Sequence, residues 1–249
     1  MSPGTLFGVG VGPGDPELIT VKAVRALREA PVVAFFAKRG GRGNAWTTAQ
    51  HHIDPSAEQL GLVYPYTTEI SPRDPEYVRA LRAFYEESAQ TIRERLARGL
   101  DVAVLCEGDP MFYGSFMYLH DRLKEQRCRV IPGITSFAGC AASAGIPLVS
   151  TDRVFAVIPG TLPEQELEAR LRNADAAAII KLGRHYAKVR RVLDRLERTA
   201  QAVYFEHGTT EREVAMPLSE KQDDKSLYFA LILVPAHDGG PYRNWDRGE

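Results

Sequence analysis

The chain is poor in several residues and patterns whose absence is informative. It has three cysteines in 249 residues, and Cys106, Cys128 and Cys140 form no C-x-x-C and no paired spacing. That usage fits a reducing compartment. Net charge is only -1 with a pI near 6.6, whereas a generic nucleic-acid binder is expected to be clearly basic. No apolar run approaches the ~18 residues of a membrane span, and the N-terminus has neither a basic segment nor an apolar signal core. A soluble cytoplasmic protein without membrane or nucleic-acid partners is therefore expected. The six histidines are scattered apart from His51-His52. Adjacent side chains point apart, so no metal site is expected there.

Two common nucleotide signatures are also missing. Residues 7–20 read FGVGVGPGDPELIT, an apolar run that ends in a Gly-Pro-Gly turn and should lead into a helix at Asp15-Pro16. A G-x-G-x-x-G frame from Gly8 meets Pro13, and a frame from Gly10 meets Asp15. A carboxylate at a helix mouth repels a pyrophosphate. The acidic residue due about 20 positions further on is absent, and no G-K-[ST] follows. What remains is a strand, a bare backbone loop and a capped helix start, with Asp15 as N-cap and Pro16 in the first turn.

The remaining chain alternates short apolar runs with longer amphipathic ones, the pattern of an α/β fold. Strands are predicted at Leu6–Val11, Val32–Phe36, Asp101–Cys106 and Arg129–Ile131. Helices are predicted at Pro16–Glu29, Asp74–Arg98, Ser115–Gln126 and Ile134–Ala144. In the long helix Tyr77, Val78, Leu81, Phe84, Tyr85, Ile92 and Leu96 share one face. The rhythm changes around Gly145-Ile146-Pro147. Strands at Val154–Ile158 and Ala176–Leu182 and helices at Pro163–Leu171 and Tyr186–Leu196 then precede three closely spaced strands, Ala202–Glu206, Glu213–Pro217 and Ser226–Val234. The expected architecture is two α/β domains, 1–149 with a mostly parallel sheet and 150–249 with a mixed sheet, and an irregular tail from Ala236 to Glu249.

Two further segments repeat the design of the first: Glu107-Gly108-Asp109-Pro110 and Pro132-Gly133-Ile134-Thr135-Ser136 each follow a strand and lead into a helix. In an open parallel sheet the ligand crevice lies at the carboxyl ends of the strands, so these loops should converge. They offer backbone groups, carboxylates and hydroxyls, with no lysine or arginine. A phosphate would want cations or clustered N–H donors. A cationic or zwitterionic ligand with a ribose, such as S-adenosylmethionine, suits them better.

These motifs, G-x-G-P-G-D at Gly10–Asp15, E-G-D-P at Glu107–Pro110, P-G-I-T-S at Pro132–Ser136 and K-L-G-R at Lys181–Arg184, resemble the tetrapyrrole methylase family, from Gly4 to about Val234. The resemblance implies two α/β domains closing on S-adenosylmethionine, and a homodimer. GDPMFYGSFMYL (Gly108–Leu119), Thr161–Glu164 and KLGRHYAKVR (Lys181–Arg190) resemble the branch that methylates carbon 20 of precorrin-2 or its cobalt form, in cobalamin biosynthesis. Gly160, where alanine is expected, is a minor departure.

Carried over by motif, the implied cofactor contacts are Pro13, Glu107, Gly108, Asp109, Thr135, Ser136, Lys181, Leu182, Gly208 and Thr209. The last two sit in E-H-G-T-T-E-R-E, a loose match. Methyl transfer to an electron-rich ring carbon needs alignment and a weak proton acceptor afterwards. Glu107 and Tyr113 lead that role, with Asp109, His185 and His207 also possible. For a polycarboxylate tetrapyrrole, Lys38, Arg39 and Arg184 are the expected clamps, with Arg42 and Arg153 as further candidates, while Lys188, Arg190 and Arg191 are expected on a solvated helix face. Two other readings stay open: a family member acting on another corrin carbon, an RNA or a protein, and a non-catalytic binding homologue.

Overall fold

A computed structural model describes residues 2–66 and 74–236; the tail expected to be irregular lies outside these beyond residue 236. The chain forms two compact units, the first ending at Thr135 and the second beginning at Ser136.

In the first unit β1 (Leu6–Gly10), α1 (Val21–Glu29), β2 (Val32–Ala37), α2 (Asn44–Ala49), β3 (Glu58–Val63), α3 (Pro75–Ala97), β4 (Val102–Cys106), α4 (Phe116–Arg122) and β5 (Cys128–Ile131) follow one another. All pairings are parallel, in the order β3-β2-β4-β1-β5. The near-continuous apolar runs of β2 (VVAFFA) and β4 (VAVLC) are those of strands covered on both faces. Val33, Phe35, Ala103 and Leu105 pack with α1 and α2, through Ala23, Leu27, Trp46 and Ala49. Val32, Ala34, Val102 and Val104 pack with α3 and α4 on the other face, through Ala89, Ile92, Leu96, Phe116 and Leu119. The large side chains of these layers contribute about 1.5–3 kcal/mol each by leaving water. The buried stripe of α3 begins later than its periodicity suggests: Phe84 to Leu96 are covered, whereas Val78 is 47% exposed.

Three local expectations are revised. Asp15 caps only a 3₁₀ turn at Pro16–Leu18, accepting from the Glu17 N–H at 2.8 Å. The helix proper starts at Val21 behind a second cap, Thr20, whose hydroxyl accepts from Ala23 N–H at 3.2 Å. Two caps five residues apart divide what reads as one helix. Helix α2 and strand β3 were not expected at all. The first has only six residues, too few to show a period, and the second is an edge strand whose side chains are mostly exposed.

The second unit contains α5 (Ser136–Ser143), β6 (Phe155–Pro159), α6 (Glu164–Arg172), β7 (Ala176–Ile180), α7 (Tyr186–Arg195), β8 (Val203–Glu206), β9 (Val214–Pro217) and β10 (Ala230–Val234). Its sheet order is β6-β7-β10-β8-β9, with β6 and β7 parallel and the other pairs antiparallel. Cys140 and Ala141 of α5 pack with Phe205, Leu231 and Leu233, which is why the division falls ahead of the joint expected near Pro147–Thr151. Helices α6 and α7 cover the other face through Leu167, Leu171, Val189, Val192 and Leu193. Among the described residues no helix is long and apolar enough to cross a membrane.

Arg198, beyond α7, closes the end of α6. Its guanidinium donates to the carbonyls of Leu171, Ala174 and Asp175 at 2.8, 2.9 and 2.6 Å, satisfying acceptors that the helix end cannot pair internally. Arg198→Ala should destabilise the protein by about 1–3 kcal/mol in urea unfolding. Arg198→Lys should recover only part of that, because one ammonium cannot span the fork of three acceptors.

Candidate functional site

Because the first sheet is all parallel, the carboxyl ends of β1, β2, β4 and β5 lie on one edge. That edge carries the Gly10–Asp15 loop, Lys38-Arg39, the Glu107–Asp109 loop and the Pro132–Thr135 loop. As expected from the sequence, the three glycine loops converge, and they do so by direct backbone contact. Gly12 and Gly108 form an isolated antiparallel bridge: Gly108 N–H donates to Gly12 C=O at 2.8 Å, and Gly12 N–H to Gly108 C=O at 3.3 Å. Asp109 fastens the third loop. Its Oδ2 accepts from Gly133 N–H at 3.0 Å, and its Oδ1 accepts from Met111 N–H at 2.8 Å. A Cβ on Gly133 would fall 2.0 Å from the Gly108 carbonyl oxygen, so no other residue permits this approach. Asp109 thus has one lone pair of each oxygen committed to the loops.

Glu107 lies on this edge, and desolvation pushes its carboxyl from 4.5 up to about 7, against the pull of a hydrogen bond from Asn44. Asn44 is the first residue of α2, a helix further tied in by Thr48, whose hydroxyl donates to Gly14 C=O at 3.4 Å. Sequence reading missed both, since a six-residue helix in a Gly-rich stretch gives no pattern. Tyr113, on the turn after Asp109, is 45% exposed, holds a φ of +54° and meets Phe112 edge-on at 4.9 Å. Pro13 and Thr135 are half-buried on their loops. Lys38 and Arg39 are exposed just past β2. Arg42 instead lies over the Trp46 ring, 4.9 Å from its centroid.

The second sheet has an equivalent edge. β8 runs with β6 and β7, because both β8 and β7 are antiparallel to β10. The ends of β7 and β8 therefore place Lys181-Leu182 and His207-Gly208-Thr209 on one side. Lys181 turns at φ +58°, and desolvation lowers its ammonium pKa; Leu182 beside it is fully buried and anchors the turn. Gly208 is backed by α5, where a Cβ would meet Cys140 Sγ at 2.2 Å. Glu213 accepts from the Thr209 N–H and from the Ser143 hydroxyl, so the loop is clamped to that helix. Ser136, at the start of α5, and Arg184 are exposed. Of the neighbouring basic residues Arg191 is exposed as expected, while Lys188 and Arg190 are half-buried with backbone partners. Lys188 donates to Leu162 C=O, Arg190 to Lys221 C=O at 2.6 Å, and Arg191 to Glu164 at 3.1 Å.

Among the described residues six non-glycine residues have positive φ, and Tyr113, Lys181, His207 and Thr209 are four of them. Each such conformation costs of order 1–3 kcal/mol, and such residues cluster where function holds the backbone. Thus strain marks the turns that motif reading selects in both units.

Comparison with known proteins gives the family. The family described as Tetrapyrrole (Corrin/Porphyrin) Methylases matches residues 5–222. A precorrin-2 C(20)-methyltransferase of a Sinorhizobium species is 49% identical over 239 residues, 96% of this chain and 98% of the relative. The cobalt-precorrin-2 C(20)-methyltransferase of Salmonella typhimurium is 28% identical, over 93% of this chain and 96% of its own. The fold is shared with a uroporphyrin-III C-methyl transferase from Thermus thermophilus solved with S-adenyl homocysteine. That likeness has a TM-score of 0.63 at 23% identity and covers 96% and 97% of the two chains. With the family's signature matched from residue 5 to 222 and a 49% identical relative aligned almost end to end, the chain belongs to the tetrapyrrole (corrin/porphyrin) methylase family.

Proposed function

We propose that this protein methylates carbon 20 of precorrin-2 with S-adenosylmethionine, as a cytoplasmic homodimer in cobalamin biosynthesis. The observation that carries this reading is the 49% identity, along nearly the whole of both chains, to the relative of that name. The lower identity, 28%, to the cobalt-precorrin-2 enzyme favours the metal-free ring as the preferred acceptor.

The donor set of the first unit fits the proposed cofactor. Its loops supply backbone groups, the hydroxyl of Thr135 and the carboxylates of Glu107 and Asp109, with no lysine or arginine among Gly10–Asp15, Glu107–Asp109 and Pro132–Thr135. A cationic ligand is favoured by such a lining and a phosphate is not. The candidate cofactor contacts of the first unit are Pro13, Glu107, Gly108, Asp109 and Thr135, and those of the second are Ser136, Lys181, Leu182, Gly208 and Thr209. When bound, S-adenosylmethionine supplies a methyl group on a positive sulfonium. The protein's own task is alignment, which is worth up to roughly 7–11 kcal/mol of a barrier in favourable cases. Lys38, Arg39 and Arg184 orient the ring through its carboxylates. Tyr113, rigid on its strained turn, flanks the acceptor. Glu107 takes the proton that leaves the methylated carbon, a role suited to a carboxyl that titrates near neutrality.

Anaerobic incubation with S-adenosylmethionine and enzymatically made precorrin-2, with and without cobalt, followed by mass spectrometry should show the gain of one methyl, faster on the metal-free ring. No gain on either ring would remove this reading. Arg39→Ala and Arg184→Ala should each weaken tetrapyrrole binding by about tenfold, the equivalent of 1.4 kcal/mol, while calorimetric affinity for S-adenosylmethionine stays within twofold. Equal loss of both affinities would contradict the clamp assignment. The raised carboxyl of Glu107 predicts a pH dependence. Between pH 4.5 and about 7 the unfolded chain has released this proton and the folded protein keeps it, so rising pH removes stability across that window. Relative to wild type, Glu107→Gln should gain stability through the window and hold the difference level above it. The variant should also lose the limb near pH 7 in its kcat/KM profile.

A further inference from the structure

Behind the turn that carries Tyr113, three hydroxyls from three different segments meet. Ser115, the residue before α4, accepts a hydrogen bond from the Tyr85 hydroxyl at 3.1 Å and shares another with the Tyr64 hydroxyl. The Ser115 side chain makes no capping bond to α4, so its Oγ serves the tyrosines. Both tyrosines are themselves held. Tyr85, on α3, is 6% exposed, stacks on Tyr118 at 4.8 Å and lies under the Arg122 guanidinium at 5.7 Å. Tyr64, directly after β3, stacks on Phe36 at 5.6 Å and packs against Phe84 at 4.8 Å.

Tyr64 also reaches the other part of the edge. Its N–H donates to Ala37 C=O at 3.0 Å, immediately before Lys38-Arg39. One residue therefore grips both the base of the cationic loop, through its backbone, and the Tyr113–Ser115 turn, through its hydroxyl. Packing alone would be served as well by phenylalanine at 64 and 85 and alanine at 115. Polar oxygens placed in an aromatic layer lose hydration and need each other as partners. A hydroxyl cluster in that position specifies geometry.

Resting on the proposed methyl transfer, we infer that Tyr64, Ser115 and Tyr85 are positioning residues that fix the Tyr113 turn against the Lys38–Arg39 loop, and so set the orientation of the tetrapyrrole ring without touching the cofactor. Since misplacement by about 1 Å can cost on the order of a hundredfold in rate, Ser115→Ala should lower kcat by roughly 10- to 100-fold. Its product should include rings methylated at a second carbon, resolved by NMR. Calorimetric affinity for S-adenosylmethionine should stay within twofold of wild type. Ser115→Thr, which keeps the hydroxyl, should recover most of the rate, and Tyr64→Phe and Tyr85→Phe should each lose several-fold. If Ser115→Ala does not fold, as judged by circular dichroism, Tyr64→Phe decides by the same measures. Unchanged turnover and regiochemistry would overturn the inference, as would a parallel loss of cofactor affinity or a Ser115→Thr variant no better than alanine. Absence of methyl transfer by the wild-type protein would instead defeat the function on which the inference rests.

Discussion

The interlock of three strand-end loops, backbone against backbone, is the constraint from which the first unit's site follows. β4, β1 and β5 are adjacent in one parallel sheet, and neighbouring strands are only about 4.8 Å apart. Loops leaving their ends on the same edge must either diverge or press together. Here they press together: Gly12 and Gly108 pair as a short continuation of the sheet, and Asp109 draws Gly133 in. Side chains at those glycines would prevent the approach, and a neutral residue at 109 would forfeit a charge-assisted bond to two N–H groups. The glycine content of the motifs is thus explained by mutual contact between loops as much as by access for a ligand.

Strain is the other side of that rigidity. Tyr113, Lys181, His207 and Thr209 hold a left-handed conformation that an unconstrained chain would leave. Each strained turn has a visible anchor: Ser115 with its two tyrosines after Tyr113, fully buried Leu182 after Lys181, and Glu213 bridging Thr209 to α5. The anchors make the turns rigid before any ligand arrives. Preorganisation of that kind is what alignment-driven catalysis requires.

The sequence made the strand-loop-helix grammar legible because apolar runs, glycine turns and helical periods are local signals. It placed Glu107, Asp109 and Tyr113 at a strand end of the first sheet, whereas Lys181 and Thr209 were implied only by the family resemblance and their common edge appears from the pairing of β7 and β8 with β10. Residues whose importance arises from partners distant in sequence were invisible. Asn44 matters through Glu107, 63 positions away, and Tyr64 matters through Ser115, 51 positions away. No periodicity encodes such pairings. The single long helix expected after Asp15 failed for the opposite reason: two local caps, Asp15 and Thr20, each gave a valid start and only one begins a helix. Likewise Lys188 and Arg190 read as solvated cations until folding supplied them with backbone carbonyls.

The fold itself does not choose the acceptor carbon. An enzyme named for uroporphyrin-III shares this fold across nearly its whole length at 23% identity. The interlocked glycine loops are built largely from backbone, which presents the same groups whatever the neighbouring side chains, and such a surface cannot distinguish one face or edge of a large ring from another. Discrimination therefore has to come from side chains that stand beside those loops at fixed distances from them. On the first unit's edge the side chains proposed for this are the Lys38–Arg39 cations and Tyr113, and Tyr64 bonds the residue before the first, Ala37, and Ser115 beside the second. A net charge of -1 is compatible with this division: carboxylates and backbone face the proposed cation-bearing cofactor, while the cations that would meet an acidic ring are confined to a few loop positions.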